Sequence, residues 1–580
     1  MPAKPSGKIK TALVNVTQKN GDIYVMERQS VYDQDKKYYR IISSKLIAKI
    51  PKGEKNPVPT RPKRPKGSKT EQKPEKLSAA RMHVGMMDII QHIGSVSGID
   101  DAVYASADTG TAQKIISLAR YLLATNGQTL PGIQTWQFNH PLPYAGGISE
   151  DVYHDLFVNI GLDESLQQNF FRERCSKLGE RDAIAYDSST ISTYSERQIE
   201  ARYGYNKAKD GLKTIKLLTL YSIESRQPVA FTKQAGNLPD VITIENALAQ
   251  ISVLGVKSAE IVTDNGYYSE DNLSEMLQKG FGFITLARTN IKWIRPEIDR
   301  HMDDFNTVSS TCPFDTATHG ITVMLMHDFK KTRRYASHKS GAQKGSAQTF
   351  CRRIYLHIYY NAARQAEDRT VFETDLMELK TLLESGMDVS ELPERSQEKA
   401  RKYMSIRTWG NKTTVSFNDK ACREAYKYHG YFVLVSNREK DCFECLRKYR
   451  RRETIESFFE SGKQHADGSR TRVWGTDTLR GRMFVQFVAL CYYEYLSEQI
   501  RQIKSSLGKQ GCDGPRTKET TEAEKRLRSW MENTPLYLQL QWFDVIEEVK
   551  VSSELHSKRW SSEITSRDRL YLEKLGVIPS

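Results

Sequence analysis

The sequence predicts a mixed α/β protein of several domains, and three observations support this prediction. The chain has 580 residues, which is long for one hydrophobic core, and 38% of them are hydrophobic, which is enough for packed interiors. Apolar strand-like runs alternate with helix-period segments between residues 181 and 290. A β-rich segment and then a helical segment precede this region. We therefore expect about two to four domains, with an α/β core as the largest.

The first 180 residues comprise three segments that differ in composition and hydrophobic pattern. Residues 1–50 alternate, are rich in β-branched and aromatic residues, and contain the turn pair Asn20-Gly21, which predicts a small antiparallel β unit. Residues 51–76 are rich in proline, lysine and arginine, which predicts an extended basic linker. Residues 77–180 follow the helical period. We interpret 77–180 as a helical DNA-binding region; an all-helical packing domain is the alternative.

Residues 181–290 show an order of elements that indicates a particular sheet. Two long, tightly joined strands precede a βαβαβ succession, which is the order expected of a ribonuclease H-like core rather than of a regularly alternating α/β domain. The predicted strands are Ala183–Asp187, Lys213–Ser222, Val229–Ala235, Ala259–Asp264 and Phe281–Ala287, and the predicted helices are Val241–Leu254 and Ser269–Lys279.

The core is predicted to be interrupted and then completed. Residues 291–430 form a large inserted domain of mixed β and helical segments. The core resumes over 431–504, beginning with the apolar strand Tyr431–Ser436 and closing with a long helix from about Thr478 to Lys504. Residues 505–580 form a polar C-terminal tail region.

Charge and cysteine content narrow the function classes. Lys and Arg total 86 against 71 Asp and Glu, a net charge of +15, which favours a polyanionic partner because neutralised phosphates release counterions. The cysteines are scattered, and the lone Cys442-Phe-Glu-Cys445 pair lacks the second pair or histidines of a zinc site. The most apolar run, Phe484–Leu496, is too short to cross a bilayer. We expect a soluble intracellular protein with no membrane partner.

Four residues near the carboxyl end of the core share one helix face. Tyr449, Arg452, Glu456 and Lys463 would lie at roughly 0°, 300°, 340° and 320° on an α-helix, a stripe about 60° wide. An acid between two cations and a phenol suits a surface that faces phosphates. The alternative is a solvated charged face, which is the usual meaning of a charge run.

Two aspartates follow buried strands upstream. Asp187 ends the predicted strand from Ala183, and Asp264 ends the one from Ala259, at the sheet edge where open α/β sheets bind ligands. Each taken alone could be a helix N-cap or turn residue. Together with Glu456 they form a carboxylate cluster whose burial requires a neutralising cation, and hard divalent ions prefer oxygen ligands.

The geometry of the helix does not decide which glutamate is the third acid. Glu453 and Glu460 would lie within about 60° of Glu456 on the same wheel, and only the spacing to the other three residues selects Glu456.

The basic residues nearby are candidate DNA contacts. Arg452 and Lys463 would hold strand phosphates, and the Tyr449 hydroxyl could position one. Arg450 and Arg451 suit a duplex that lies across this face.

These residues resemble DDE-type transposases of bacterial insertion sequences, in the insertion-sequence-four-like superfamily with the Tyr-Arg-Glu-Lys signature. The four-residue spacing matches completely, and the resemblance covers about 180 to 500. The other matching runs are Asp187-Ser-Ser-Thr-Ile-Ser-Thr-Tyr194, Tyr203-Gly-Tyr-Asn-Lys207, Gly211-Leu-Lys213, Gly236-Asn-Leu-Pro-Asp240 and Ile261-Val-Thr-Asp-Asn-Gly-Tyr267.

The resemblance implies a function and a set of partners. It implies a ribonuclease H-like catalytic domain in which Asp187, Asp264 and Glu456 bind two Mg²⁺ ions, with Mn²⁺ as a substitute. The expected reaction is cleavage at terminal inverted repeats and strand transfer into target DNA, by a homodimer on paired ends in the bacterial cytoplasm and nucleoid. Some relatives hold a flipped base on an insertion-domain tryptophan; Trp293 and Trp409 are the candidates, and we favour a core position for each.

Two other functions share the same site. A non-catalytic DNA-binding protein descended from a transposase would not need all three acids, which are intact here. A metal-dependent nuclease would cut nucleic acid with the same residues but would not join ends.

Overall fold

A computed structural model of the chain describes residues 8–33, 36–59, 78–179, 182–206, 208–256, 258–332, 346–409, 412–466, 468, 470–507, 518–552 and 557–577. The chain divides into two compact units, one of Met1–Ser78 with Ser552–Ser557 and one of Ala79–Val551 with Lys558–Ser580.

The first unit contains a four-stranded sheet in the segment where alternation predicts β structure. Its strands pair as consecutive antiparallel neighbours: β1 (Ile9–Thr17), β2 (Ile23–Asp33), β3 (Tyr38–Ile50) and β4 (Val58–Pro59). Gly21 has φ +88° in the β1–β2 turn, a conformation that favours glycine. Most of the predicted proline-rich linker, 60–76, lies outside the described residues.

Residues 78–179 contain a short strand and then a set of helices, as the apolar period over 77–180 predicts. The elements are β5 (Ser78–His83), α1 (Gly85–Ser97), α2 (Ile99–Ser106), α3 (Thr109–Ala124), α4 (Ile133–Trp136), α5 (Glu150–Leu162) and α6 (Glu164–Cys175). The Asp108 carboxylate caps α3 by accepting from the backbone N–H groups of Gly110 and Thr111, which satisfies donors that a helix start leaves unpaired.

The α/β core follows. Its elements are β6 (Ala183–Thr193), β7 (Lys213–Ser222), β8 (Gln227–Ala235), α7 (Ile244–Val253), β9 (Glu260–Thr263), α8 (Glu270–Gln278) and β10 (Gly282–Ala287). The first strand is longer than predicted: it continues past Asp187 to Thr193, because its polar second half pairs in register with β7 from Leu218 to Lys213.

Residues 291–430 contribute strands to the main sheet and also form a small core of their own. The elements are α9 (Arg295–Arg300), β11 (Thr311–Cys312), β12 (Asp315–Thr332), β13 (Ala347–Asn361), α10 (Ala362–Glu384), α11 (Glu394–Tyr403), β14 (Met404–Trp409), β15 (Lys412–Phe417) and α12 (Asp419–Tyr426). The strands β11–β13 join the main sheet, whereas α10–α12 with the β14–β15 hairpin enclose a small core of their own around Leu376, Leu383 and Met404.

The chain then returns to the main sheet. The elements are β16 (Tyr431–Ser436), α13 (Cys442–Arg451), α14 (Glu453–His465) and α15 (Thr476–Ser506). The nine-stranded sheet has the order β11-β12-β13-β16-β10-β9-β6-β7-β8. Within it β6, β9 and β10 are parallel, and β7 and β8 continue as antiparallel neighbours of β6. The protein is therefore a mixed α/β protein with a large sheet.

The long helix α15 packs closely on α5 because each helix has a glycine at the point where they contact. A Cβ on Gly481 would lie 2.0 Å from the carbonyl oxygen of Phe157, and one on Gly161 would lie 2.0 Å from that of Asp477. Any side chain at either position would push the helices apart.

The C-terminal region is folded. Its elements are α16 (Lys518–Asn533), α17 (Leu536–Trp542), β17 (Glu547–Ser552), β18 (Ser557–Ser561) and α18 (Ser566–Leu575), and β17 pairs with β18 and β5. Among the described residues, no helix combines the length and apolar character needed to span a membrane.

Candidate active site

Asp187 and Asp264 belong to neighbouring parts of the sheet. The parallel strands β6 and β9 pair Ala183 with Glu260 and Ala185 with Val262, where the pairing ends. Asp187 lies two residues further along β6, and Asp264 directly follows β9. The meeting of their carboxylates stays a prediction.

The helix that carries Tyr449 is fixed to the sheet by buried polar contacts. Lys448 Nζ donates to Glu260 Oε2 and Glu439 Oε2, both at 2.9 Å. The buried Tyr359 hydroxyl donates to the Cys442 carbonyl at 2.6 Å. These bonds hold α13 across β9 and β13, which sets the position of the residues that follow.

Arg452 joins two of the predicted acids. Its side chain is only 8% exposed; Nη1 donates to Asp187 Oδ2 at 2.9 Å and Nη2 donates to Glu456 Oε1 at 3.0 Å. The signature does not lie on one continuous helix, because α13 ends at Arg451 and α14 begins at Glu453. The bridge through Arg452 links Glu456 to Asp187; the choice of Glu456 over Glu453 and Glu460 stays a prediction.

Tyr449 contacts the other aspartate. Its hydroxyl donates to Asp264 Oδ1 at 3.2 Å, and burial together with the Asp264 charge raises the pKa of the phenol. Burial alone would lower the pKa of the Arg452 guanidinium, but Tyr449, Asp187 and Asp264 around it raise that pKa above its ordinary value. Arg452 therefore stays charged and compensates the acids.

A further carboxylate supports β6 from the side of the α7 segment. Asp240 Oδ1 accepts from the Ser188 hydroxyl at 2.9 Å and from Lys216 Nζ at 2.7 Å. The loop can approach β7 because a Cβ on Gly236 would lie 2.1 Å from the Thr214 carbonyl oxygen. We assigned no site role to Asp240 from the sequence. The sequence feature that could have indicated one is the run Gly236-Asn-Leu-Pro-Asp240, which matches the resembled family.

The remaining basic candidates lie around this centre. Lys463 is half-buried in the last turn of α14. Arg450 pairs with Asp315 at 2.5 Å, and Arg451 pairs with Glu224 at 3.3 Å with about half of each side chain exposed. Their contacts with DNA stay predictions.

The two tryptophans differ sharply. Trp293 packs against the main core, and its ring lies 4.4 Å from that of His327. Trp409 is 91% exposed at the end of β14, so the expected core position is wrong for this residue. The reason is that the β14–β15 hairpin extends beyond the small core that packs at its base. Base stacking by either ring stays a prediction.

The Cys442–Cys445 pair is buried in α13 and packs in the main core. Burial raises the pKa of Cys442 to about 11 and that of Cys445 well above its ordinary value.

The three acids offer the oxygen ligands that a hard divalent cation takes. Arg452 bridges Asp187 and Glu456 and Tyr449 contacts Asp264, so three carboxylates stand near one buried guanidinium. Carboxylate oxygens accept up to two bonds each and are the ligands that Mg²⁺ prefers. When bound, such an ion would polarise phosphate and activate a nucleophilic oxygen.

Residues 178–346 match the sequence model of a transposase DDE domain. The match includes Asp187 and Asp264 and ends before Glu456. It supports a DDE-type transposase, and such domains belong to metal-dependent enzymes that cut DNA.

The chain was also compared with solved structures and with curated proteins. One solved structure, the cryo-EM structure of a piggyBac transposase synaptic complex with hairpin DNA, is 9% identical over 79% of this chain and 78% of that chain, with a TM-score of 0.34. A TM-score this low carries no argument about the fold. A search of curated proteins finds no match.

Proposed function

We propose that this protein is a DNA transposase that cuts the ends of an insertion sequence and joins them to target DNA, with Asp187, Asp264 and Glu456 holding two Mg²⁺ ions. The observation that carries the proposal is the link that Arg452 makes between Asp187 on β6 and Glu456 on α14, with Asp264 directly after the neighbouring strand β9 and in contact with Tyr449. Mn²⁺ would substitute for Mg²⁺, since both take oxygen ligands.

The topology supports a ribonuclease H-like core. The strand order is β8-β7-β6-β9-β10, with β7 antiparallel and β9 and β10 parallel to β6. It is compatible with the two joined strands and the βαβαβ succession on which the sequence-based expectation rests. The segment 291–430 would then be the insertion before the last acid, as in the insertion-sequence-four-like superfamily.

The protein's own residues would hold the acids ready for the reaction. Arg452 fixes the separation of Asp187 and Glu456, and the Tyr449 hydroxyl orients Asp264. Ser188, held by Asp240, supports β6 next to Asp187. Fixed carboxylates need little reorganisation when phosphoryl transfer begins.

A basic groove beside the acids supports a DNA substrate. The groove starts at Asn265, next to Asp264, and runs between β10 and the α10–α12 segment. Its basic side chains include Arg288, Arg295, Arg364, Arg395, Lys399 and Lys402. Such a surface neutralises strand phosphates, although four acids, Glu367, Asp368, Asp375 and Glu424, also line it. We propose Lys463, Arg450 and Arg451 as further phosphate contacts.

The assembly and location follow from this function. We propose a homodimer on paired DNA ends, in the cytoplasm of a bacterium and associated with its nucleoid.

A joining assay tests the function. The purified protein is incubated with DNA that carries the ends of its own element, a supercoiled target and Mg²⁺, and Glu456→Gln is compared with Glu453→Gln and Glu460→Gln, which alter exposed acids of the same helix. We expect joined products from wild type and both controls and none from Glu456→Gln, with end binding retained by all.

Each other outcome points elsewhere. Joined products from Glu456→Gln would remove that residue from the site. Cutting without joining would indicate a nuclease, and DNA binding with no cutting by any variant would indicate a non-catalytic DNA-binding protein.

A further inference from the structure

Two histidines and an aspartate from distant parts of the chain meet beside β17. His83 ends β5, His140 lies in the segment after α4, and Asp544 lies in the 3₁₀ turn Phe543–Val545. One potential ligand atom from each of the three lies within 4.8 Å of the other two. None of these residues belongs to the proposed active site.

The backbone brings these segments together independently of the side chains. The His83 N–H donates to the Asn139 carbonyl at 2.7 Å, and the Val84 N–H donates to the Ile546 carbonyl at 2.9 Å. The three side chains therefore share a frame built by main-chain hydrogen bonds.

Each ring nitrogen of His140 lies next to a hydrogen-bond acceptor. Its Nδ1 lies 2.8 Å from the Trp136 carbonyl oxygen, which can only accept, so Nδ1 carries the proton. Its Nε2 lies 3.0 Å from Asp544 Oδ1, which as a carboxylate also only accepts. A neutral imidazole has one N–H, so two acceptors require either a second proton or a cation shared by Nε2 and Asp544.

His83 shares the first half of this pattern. Its Nδ1 lies 2.7 Å from the Asp544 carbonyl oxygen and must donate to it, so its Nε2 carries the lone pair. That Nε2 lies 3.8 Å from Glu547 Oε1, beyond hydrogen-bond distance, and Glu547 accepts from Arg81. Histidines that bind metal characteristically donate their other ring N–H to a carbonyl or a carboxylate, as both histidines do here.

The surroundings hold the His140 ring in place. Its side chain is 8% exposed and stacks on the Trp136 ring, with centroids 3.8 Å apart and planes at 6°. The side chains of His83 and Asp544 are 25% and 34% exposed, which leaves a path for an ion and a water ligand.

We propose that His83, His140 and Asp544 bind a transition-metal ion of the Zn²⁺ class. Two imidazole nitrogens and a carboxylate form a donor set that zinc accepts with water in the fourth position, whereas Mg²⁺ prefers oxygen alone. Ligand atoms around a tetrahedral zinc at about 2.0–2.1 Å lie about 3.3 Å from one another, so the site tightens on binding. The ion joins β5, the segment after α4 and the turn before β17.

The test is metal binding by the full chain, free of any purification tag and stripped with a chelator. Zn²⁺ is titrated against a chromophoric chelator, and Co²⁺ is followed by its visible absorption. The variants are His140→Gln and Asp544→Asn, and the matched control is His154→Gln, whose side chain is 60% exposed on α5.

We expect one Zn²⁺ per chain in wild type and in the control, with a Kd that rises more than about 100-fold in both site variants, beyond the loss expected from an outer partner alone. If circular dichroism shows that a site variant is unfolded, His83→Gln, on the more exposed histidine, takes its place. Failure of wild type to bind, or equal binding by all folded variants, would overturn the proposal, and the first result would favour an imidazolium–carboxylate pair. Asp187→Asn should leave this binding unchanged, which separates it from the proposed catalytic ions.

Discussion

Replacing Arg452 by glutamine should destabilise the protein strongly, because Arg452 is the cation between two acids. Its side chain is 8% exposed and donates to Asp187 and Glu456, whose side chains are 16% and 56% exposed. Removing one partner of a buried ion pair costs about 3–5 kcal/mol, since the other charge stays buried. Water can compensate Glu456, so we expect the lower end, about 3 kcal/mol, mainly from Asp187.

The neighbouring residue provides a matched control. Arg451 pairs with Glu224 at the surface, with 44% and 45% of the two side chains exposed, and Arg451→Gln should cost about 0–1 kcal/mol. Both variants make the same chemical change one position apart, so effects on the unfolded chain nearly cancel. The assay is urea unfolding with chelator present, followed by circular dichroism and tryptophan fluorescence. Equal losses in the two variants, within about 0.5 kcal/mol, would refute the buried bridge.

Three other variants test separate parts of the account. Burial raises the pKa of Glu494 to about 7 from 4.5, so the folded state holds a proton that the unfolded state has lost, and stability falls as pH rises between these values. Glu494→Gln should therefore gain up to about 3 kcal/mol over wild type at pH 8 and little below pH 4.5; a pH-independent difference in urea midpoints would contradict this. Tyr449→Phe removes the bond to Asp264 and should cost about 1–2 kcal/mol while lowering the joining rate; an unchanged rate would exclude an orienting role. Lys463→Ala should make the slope of log K for DNA binding against log [salt] shallower by about 0.9, the value for one phosphate contact. An identical slope in the variant and wild type would refute that contact.

The sequence predicted the strands of the core well where apolar residues dominate them. The structure places Lys213–Ser222 as predicted and moves the ends of the neighbouring strands by at most two residues. The end of β6 was wrong because Ser188–Thr193 is polar, and only its pairing with β7 makes it a strand. Pairing across a sheet leaves no local pattern.

The sequence indicates the acids of the proposed site but not the contacts that surround them. Asp187 and Asp264 followed from apolar runs that end in aspartate. The bridge made by Arg452 could not be predicted, because its partner Asp187 lies far away in the chain and meets it only across the sheet. The break between α13 and α14 has no proline or glycine to indicate it. Trp409 was misplaced because an apolar ring at a hairpin end cannot be told from a core ring in sequence.

The most direct test of the central claim is a count of Mn²⁺ ions bound by wild type, Asp264→Asn and the surface control Glu453→Gln, measured by electron paramagnetic resonance with end DNA present. The account predicts two ions per site in wild type and the control, and loss of this binding in Asp264→Asn while DNA binding persists. Equal Mn²⁺ binding by all three proteins would contradict a metal site at Asp187, Asp264 and Glu456.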